Sequence, residues 1–240
     1  MKKILILLSS IFVSFNVFCL ETQTDTLFGG FADFSGASGK TTYNKMDSDY
    51  VTRAYECDYA SKFKAGGGLL GFDIFFNDFP LGIYARAGFL GVSEVERTVR
   101  NTTKNIENTE FTFNSFYSLG AVYEFDINNY LSLCGAPSFS MLWISSEYAK
   151  YAGLASRATI DSLWGIGIAG DVYAKFRYKY FTATAGVQGA FYPLAFIESA
   201  DSEVQYSQVF DNTSGYSIRP YIAIGFTFKE HTGSTISPSN

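Results

Sequence analysis

The sequence predicts an all-β fold: an eight-stranded antiparallel up-and-down barrel that crosses a membrane. Three observations predict it. Beyond residue 20 the chain carries eight runs in which apolar residues alternate with polar or small ones, the period-2 signature of strands. The links between those runs alternate between tight and long, as turns at one end of a barrel and loops at the other would. In the clearest runs the apolar parity carries no charge, so the apolar face belongs to lipid and the polar face to a lumen.

The elements follow in chain order. Met1, Lys2 and Lys3 precede the apolar stretch from Ile4 to Phe18, a charged start and apolar middle that read as a secretory signal peptide. The stretch is too short to span a bilayer as a helix. Val17 and Cys19 are small enough for the −3 and −1 positions, which sets cleavage after Cys19 and starts the mature chain at Leu20. Phe18 disfavours acylation of Cys19, because lipoprotein processing wants a small residue there. The expected organisation is a signal peptide over 1–19, the barrel over 20–229 and a short polar tail over 230–240. Export of this kind puts the barrel in the outer membrane of a diderm bacterium, with both termini on the periplasmic side. Removing Lys2 and Lys3 takes the formal charge from −5 to −7. A mildly acidic chain without a basic cluster lacks the footprint of a nucleic-acid binder.

The eight runs are 25–36, 62–76, 81–96, 110–126, 130–147, 159–176, 181–197 and 216–229. Between the first and second lies the longest connection, about 37–61, holding Lys40, Lys45, Asp47, Asp49, Arg53, Glu56 and Asp58. It is expected to be a solvated loop and a contact surface for an extracellular partner. Asn77 to Pro80 form a tight link. If Phe76 opposes Leu81 across it, Asp73 faces Tyr84 and lies diagonally from Arg86. In the fourth run Phe111, Phe113, Tyr117, Leu119, Ala121, Tyr123 and Phe125 oppose Thr112, Asn114, Ser118, Gly120 and Glu124. Ile127 to Asn129 link it to the fifth run. Trp143 and Trp164 fall on the lipid-facing parity of the fifth and sixth runs at matching heights, where an indole would sit at the membrane interface. Arg177 to Tyr180 are the third tight link. The seventh run sets Phe181, Ala183, Ala185, Val187 and Phe191 against Thr182, Thr184 and Gln188, with Pro193 forcing a bulge or an early end. The eighth sets Ile218, Ile222, Ile224, Phe226 and Phe228 against Ser217, Arg219, Tyr221, Ala223 and Thr227. Phe76, Tyr123, Phe125, Phe176, Phe181, Phe226 and Phe228 mark the rim opposite the tryptophans.

The same parity puts Asp33, Asp73, Arg86, Glu124, Asp171, Lys175 and Arg219 inward. Four acids and three bases nearly neutralise, as buried charges must. An eight-stranded barrel has an interior that side chains can fill, so these residues read as a plug of ion pairs rather than a conducting path.

Catalytic chemistry finds no support. Gly165-Ile-Gly-Ile-Ala-Gly170 matches the dinucleotide fingerprint in letters, yet period-2 alternation continues through Asp171 to Phe176 where a helix is required. Its glycines read as lumen and wall positions that cannot hold large side chains. Ser38-Gly-Lys-Thr41 resembles the end of a P-loop but has Phe34 where the first glycine belongs. Asn101-Thr-Thr103 and Asn212-Thr-Ser214 are polar loop tips. The one histidine, His231, stands in the tail, so the barrel wall lacks the positioned histidine base on which outer-membrane hydrolases and acyltransferases mostly depend. Cys57 and Cys134 fall at opposite ends of the barrel, beyond disulfide reach, and are expected as free thiols. No catalytic residue, cofactor or metal ligand set is expected.

The stretch Tyr221-Ile-Ala-Ile-Gly-Phe-Thr-Phe228 resembles the terminal-strand signal of small bacterial outer-membrane β-barrels, which the barrel-assembly machinery reads. With the eight-strand pattern, the mature chain is similar to OmpW-like and OmpA-type barrels. It departs from them by running on past Phe228, where typical members stop. An OmpW-like resemblance implies a narrow, porin-like channel for small hydrophobic solutes, which the inward Leu69, Leu90 and Val92 would serve. An OmpA-type resemblance implies a closed barrel acting through its external loops, with outer-membrane lipid and the assembly machinery as its partners. A secreted lipocalin-like binding barrel would also have eight strands, but with an apolar interior and a wet exterior.

Overall fold

The computed structural model describes residues 21–46, 52–76, 79–99, 102–107, 114–149, 158–200 and 211–230. The predicted signal peptide, the tail with His231, Phe111 and Phe113 lie outside the described residues. Among the described residues, β-branched, aromatic and glycine-rich stretches form nine antiparallel strands: β1 (Thr22–Met46), β2 (Thr52–Phe76), β3 (Leu81–Val99), β4 (Thr102–Glu107), β5 (Asn114–Asp126), β6 (Leu131–Ala149), β7 (Ala158–Tyr178), β8 (Phe181–Ala200) and β9 (Asp211–Glu230). Eight of them close into a ring. Each pairs with its neighbours in the order β1, β2, β3, β5, β6, β7, β8, β9, and β9 pairs back onto β1. The ninth, β4, pairs with β3 over Glu94–Val99 and extends the wall beyond the ring. Closure satisfies the backbone of every wall strand, which is what a strand needs in order to cross lipid.

Side-chain parity is inverted relative to a soluble barrel. Leu119, Phe125, Phe139, Ile168, Val172, Ile222, Ile224 and Phe228 are exposed on the outside, while Asp33, Asp73, Asp171, Lys175 and Arg219 are buried inside. On β2 the outward residues from Gly66 to Phe76 are all apolar or glycine, and the next two are Lys64 and Lys62. About eleven residues at ~3.3 Å, tilted by some 40°, give roughly 25–30 Å, the thickness of a bilayer's hydrocarbon. The wall is that of a membrane-spanning barrel. It is the reverse of the lipocalin-like alternative, whose interior would be apolar.

The long 37–61 loop is corrected. β1 and β2 are 25 residues each and stay in register from Thr22↔Phe76 to Met46↔Thr52, so the segment is a tall hairpin. Once a strand has passed the lipid its outer face meets water, so ladder hydrogen bonds can continue while apolar alternation stops. Lys40 stands opposite Asp58 there. The change occurs at a bulge, where Ser93 is the extra residue between Lys64↔Glu94 and Ala65↔Val92 and its hydroxyl donates to the Lys64 carbonyl. Beyond it, Lys64–Glu94 and Lys62–Glu96 pair across the strands at 2.7 Å. Of the fourth run, residues 114–126 are described and form β5, while 110–113 lie outside the described residues; the polar β4 was not anticipated.

Tight connections lie at the end that also holds Thr22 and Glu230. Asn128 Oδ1 accepts from the amides of Tyr130 and Leu131 to shape one turn. Another is the pair Lys179–Tyr180, with Lys179 at φ 56°. Arg177, assigned above to that turn, instead continues β7 and points into the lumen. Pro193 sits at a bulge where β8 loses register with β7 between Ile166 and Ile168.

Candidate functional site: the charged lumen

The lumen is built in layers, because inward residues of neighbouring strands meet at the same height. Nearest the turn end, Asp25 of β1, Glu124 of β5 and Lys175 and Arg177 of β7 converge. Arg177 binds Asp25 with its Nη2 and Glu124 with both terminal nitrogens. Lys175 Nζ lies 2.8 Å from Asp25 Oδ2, 2.8 Å from Asp73 Oδ2 and 3.6 Å from Glu124 Oε2. Thr227 donates to Asp25 Oδ1 at 2.7 Å. Each carboxylate thus serves more than one donor, which buried anions require.

One layer up, Asp73 and Arg86 occupy adjacent strands. Arg86 Nη1 meets Asp73 Oδ1 at 2.7 Å, and Tyr173 donates to Asp73 Oδ2 at 2.7 Å. The guanidinium lies 4.4 Å from the Tyr84 ring centre and 5.3 Å from that of Tyr173, close enough for cation–π attraction. Gly71 stands directly opposite Arg86, and a Cβ there would come within 2.8 Å of Arg86 Cδ. The glycine makes room for the guanidinium.

Asp171 forms the middle layer without a direct cation. Tyr84 and Tyr221 donate to its Oδ2 at 2.6 and 2.9 Å. Gln188 links upward, donating to Tyr84 Oη at 2.9 Å and accepting from Arg219 Nη1 at 2.8 Å. Arg219 also reaches Asp33 through Nε and Tyr192 Oη at 2.8 Å, and rests 4.1 Å from the centre of the Phe116 ring. Ser217 gives Asp33 a further donor at 2.8 Å. Above these, Leu90, Val92, Leu142, Ile144 and Ile197 fill the loop end with apolar side chains.

All seven lumen residues named from sequence are therefore buried inside the barrel, and Asp73 meets Arg86 across the diagonal. Asp171 and Lys175, two rungs apart on β7, do not pair with each other. Asp25, Arg177, Tyr173 and Tyr192 were missed, and Tyr84 and Tyr221, though set inward by the sequence, were not given their part in joining the layers. Asp25 carried a usable signal, because it shares parity with Leu27 and Asp33. Within the core of the network, a cavity bounded by Arg86, Asp171, Gln188 and Arg219 has a volume of about 10 Å³. That is room for roughly one water molecule. At the turn end the lumen widens into a polar vestibule of about 620 Å³ floored by Glu124 and Arg177.

Outside, Trp143 and Trp164 stack at 4.7 Å on adjacent strands at one edge of the apolar wall. Phe125, Phe176, Phe181 and Phe228 are exposed near the other edge, with Phe76 partly covered. In the Gly165–Gly170 stretch, a Cβ at Gly165 would meet the Tyr192 ring at 2.6 Å and one at Gly167 the Phe191 carbonyl at 2.0 Å, while Gly170 faces open space outside. Gly165 and Gly167 make space for the neighbouring strand rather than cradle a phosphate. Cys134 is a buried free thiol in the lumen, and the Cys57 side chain lies outside the described residues. Among the described residues no group of His, Cys, Asp and Glu could hold a metal ion.

No family model and no curated protein matches the chain. Among solved structures, it is similar to Ail, the attachment invasion locus protein of Yersinia pestis, crystallised with the heparin analogue sucrose octasulfate. Identity is 13%, covering 86% of this chain and 99% of that one, with a TM-score of 0.38. It is also similar to Neisserial surface protein A, at 13% identity, 85% and 97% coverage and a TM-score of 0.40. The outer membrane protease OmpT of Escherichia coli matches at 10% identity, 87% and 97% coverage and a TM-score of 0.36.

Proposed function

We propose that this chain is an integral outer-membrane β-barrel without enzymatic activity, closed through its lumen and acting through the segments that project from its loop end. A closed, up-and-down, eight-stranded ring with tight turns at one end and an apolar outer wall has the architecture of such barrels. In that orientation both termini and the tight turns face the periplasm, and the tall β1–β2 hairpin stands outside the cell as the contact surface. The observation that carries the reading is the lumen itself. Its charges are joined wall to wall around a cavity of about 10 Å³. A path for solutes would have to break Asp33–Arg219, Asp73–Arg86 and the Lys175 cluster in succession, and each is a buried pair. The absence of a histidine in the described wall supports a non-catalytic role.

A second reading, passage of small hydrophobic solutes, is favoured only by the apolar loop-end layer of Leu69, Leu90 and Val92. Uptake of a panel of apolar solutes by a deletion strain separates the two. The closed barrel predicts uptake equal to the parent strain. A loss that is restored by the intact gene would overturn it in favour of passage. Location is tested by fractionation: recovery with membranes and a heat-dependent shift in gel mobility are expected, and recovery in the soluble periplasm without detergent would contradict the proposal.

A further inference from the structure

On the lipid-facing wall two consecutive rungs share a pattern. Leu70 of β2, Ala87 of β3 and Tyr117 of β5 stand side by side, and so do Phe72, Ala85 and Leu119. In both rungs the β3 residue is alanine and its neighbours are large, which, within an apolar hollow of about 400 Å³ that reaches Phe139 and Met141 of β6, leaves a notch along β3. Its sides stand about 10 Å apart, two inter-strand spacings. Its ends are stopped by outward residues of the same strand, Ile83 on the turn side and Phe89, half exposed, on the loop side. No charged side chain opens into it: Arg86, whose backbone lies in the floor, turns its guanidinium inward to Asp73.

We infer that this notch holds one acyl chain of a membrane phospholipid, in preference to the surrounding lipid. The inference rests on the membrane-spanning reading. On β2 the notch lies midway between Lys64, where the apolar band ends, and Phe76 at the turn rim, so it sits among methylenes, well away from headgroups. Its width admits a single hydrocarbon chain, which can fill the depth over Ala85 and Ala87 and touch side chains on both sides. A second barrel is the weaker candidate, because a convex wall would rest on the ridges of Leu70, Phe72, Tyr117 and Leu119 and leave the floor uncovered.

The test is native mass spectrometry of the full mature chain, folded in detergent and titrated with palmitoyl-oleoyl phosphatidylethanolamine. The first lipid adduct should form at least tenfold more tightly than the next. In Ala85→Phe/Ala87→Phe, which fills the floor, that preference should disappear. It should persist in Ala174→Phe/Ala183→Phe, on outward positions of β7 and β8. Because all four positions face lipid, the variants should keep the heat-dependent mobility shift that reports a folded barrel. An equal preference in wild type and the filled variant, or none in wild type, overturns the inference while leaving the barrel in the membrane. Dimers in wild type that vanish in the filled variant overturn it too, assigning the notch to a second copy. Failure of the membrane-spanning reading would show separately, as a chain that fractionates without detergent.

Discussion

Asp73 is the residue whose loss the lumen should feel most. Its two carboxylate oxygens hold Arg86 at 2.7 Å, Lys175 at 2.8 Å and the Tyr173 hydroxyl at 2.7 Å, all in a layer closed to water. Asp73→Asn changes the shape by almost nothing and removes the charge. Two cations then face a neutral amide, and a buried charge left without its partner costs about 3–5 kcal/mol. Lys175 keeps Asp25 at 2.8 Å, so Arg86 bears most of the loss. In urea, with a slope of about 2–3 kcal/mol per molar for a chain of this size, the unfolding midpoint should fall by roughly 1–2 M. Fluorescence of Trp143 and Trp164 can follow it, since both leave the lipid-facing wall on unfolding. The double variant Asp73→Asn/Arg86→Met removes the stranded cation as well, and should recover a large part of the lost stability. A midpoint for Asp73→Asn within ~0.3 M of wild type would refute the reasoning, as would a double variant less stable than the single one.

Three smaller predictions use the same assay or a local probe. Gly71→Ala sets a methyl against Arg86 Cδ and Nε, at 2.8 and 3.0 Å before any relaxation, and should cost about 1–3 kcal/mol in urea unfolding. Lys179 holds a left-handed backbone that glycine adopts without strain, so Lys179→Gly should raise stability by about 0.5–1 kcal/mol. A midpoint that falls would show the turn is held by the lysine side chain. Beyond the lipid band, the hydrogen bond and charge of Glu96 raise the pKa of Lys62. Whatever the pair contributes is therefore present below the ordinary lysine pKa and fades as pH rises past the raised one. Nitrogen NMR of the Lys62 ammonium should show its titration moving down in Glu96→Gln, and no movement would exclude the pair in solution.

Much of the barrel was legible because lipid on one side and a narrow lumen on the other impose period 2 on every wall strand. Parity alone put Asp73, Arg86 and Arg219 inward and both tryptophans outward. Where lipid ends, so does that constraint. The hairpin through Lys40 and Asp58 is as regular as the wall, but with water outside it reads as a polar loop. Arg177 was lost for a related reason: it adjoins a turn, where charge is ordinary, and only Asp25 and Glu124 across the lumen show why it stays in the strand. The part played by the four tyrosine hydroxyls escaped notice because alternation does not distinguish a ring that fills space from one whose hydroxyl completes a buried network. Glycines at 165 and 167 were read from the alternation around them, and the Tyr192 ring packed against Gly165 gives the physical reason for that one.

A sealed lumen is the central claim, and single-channel recording on the purified, refolded barrel in a planar bilayer tests it most directly. The wall-to-wall network predicts a flat baseline across moderate voltages in wild type. Steady, ion-selective steps from wild-type protein would contradict it, and would mean that the charges around Asp73 and Arg219 line a water path.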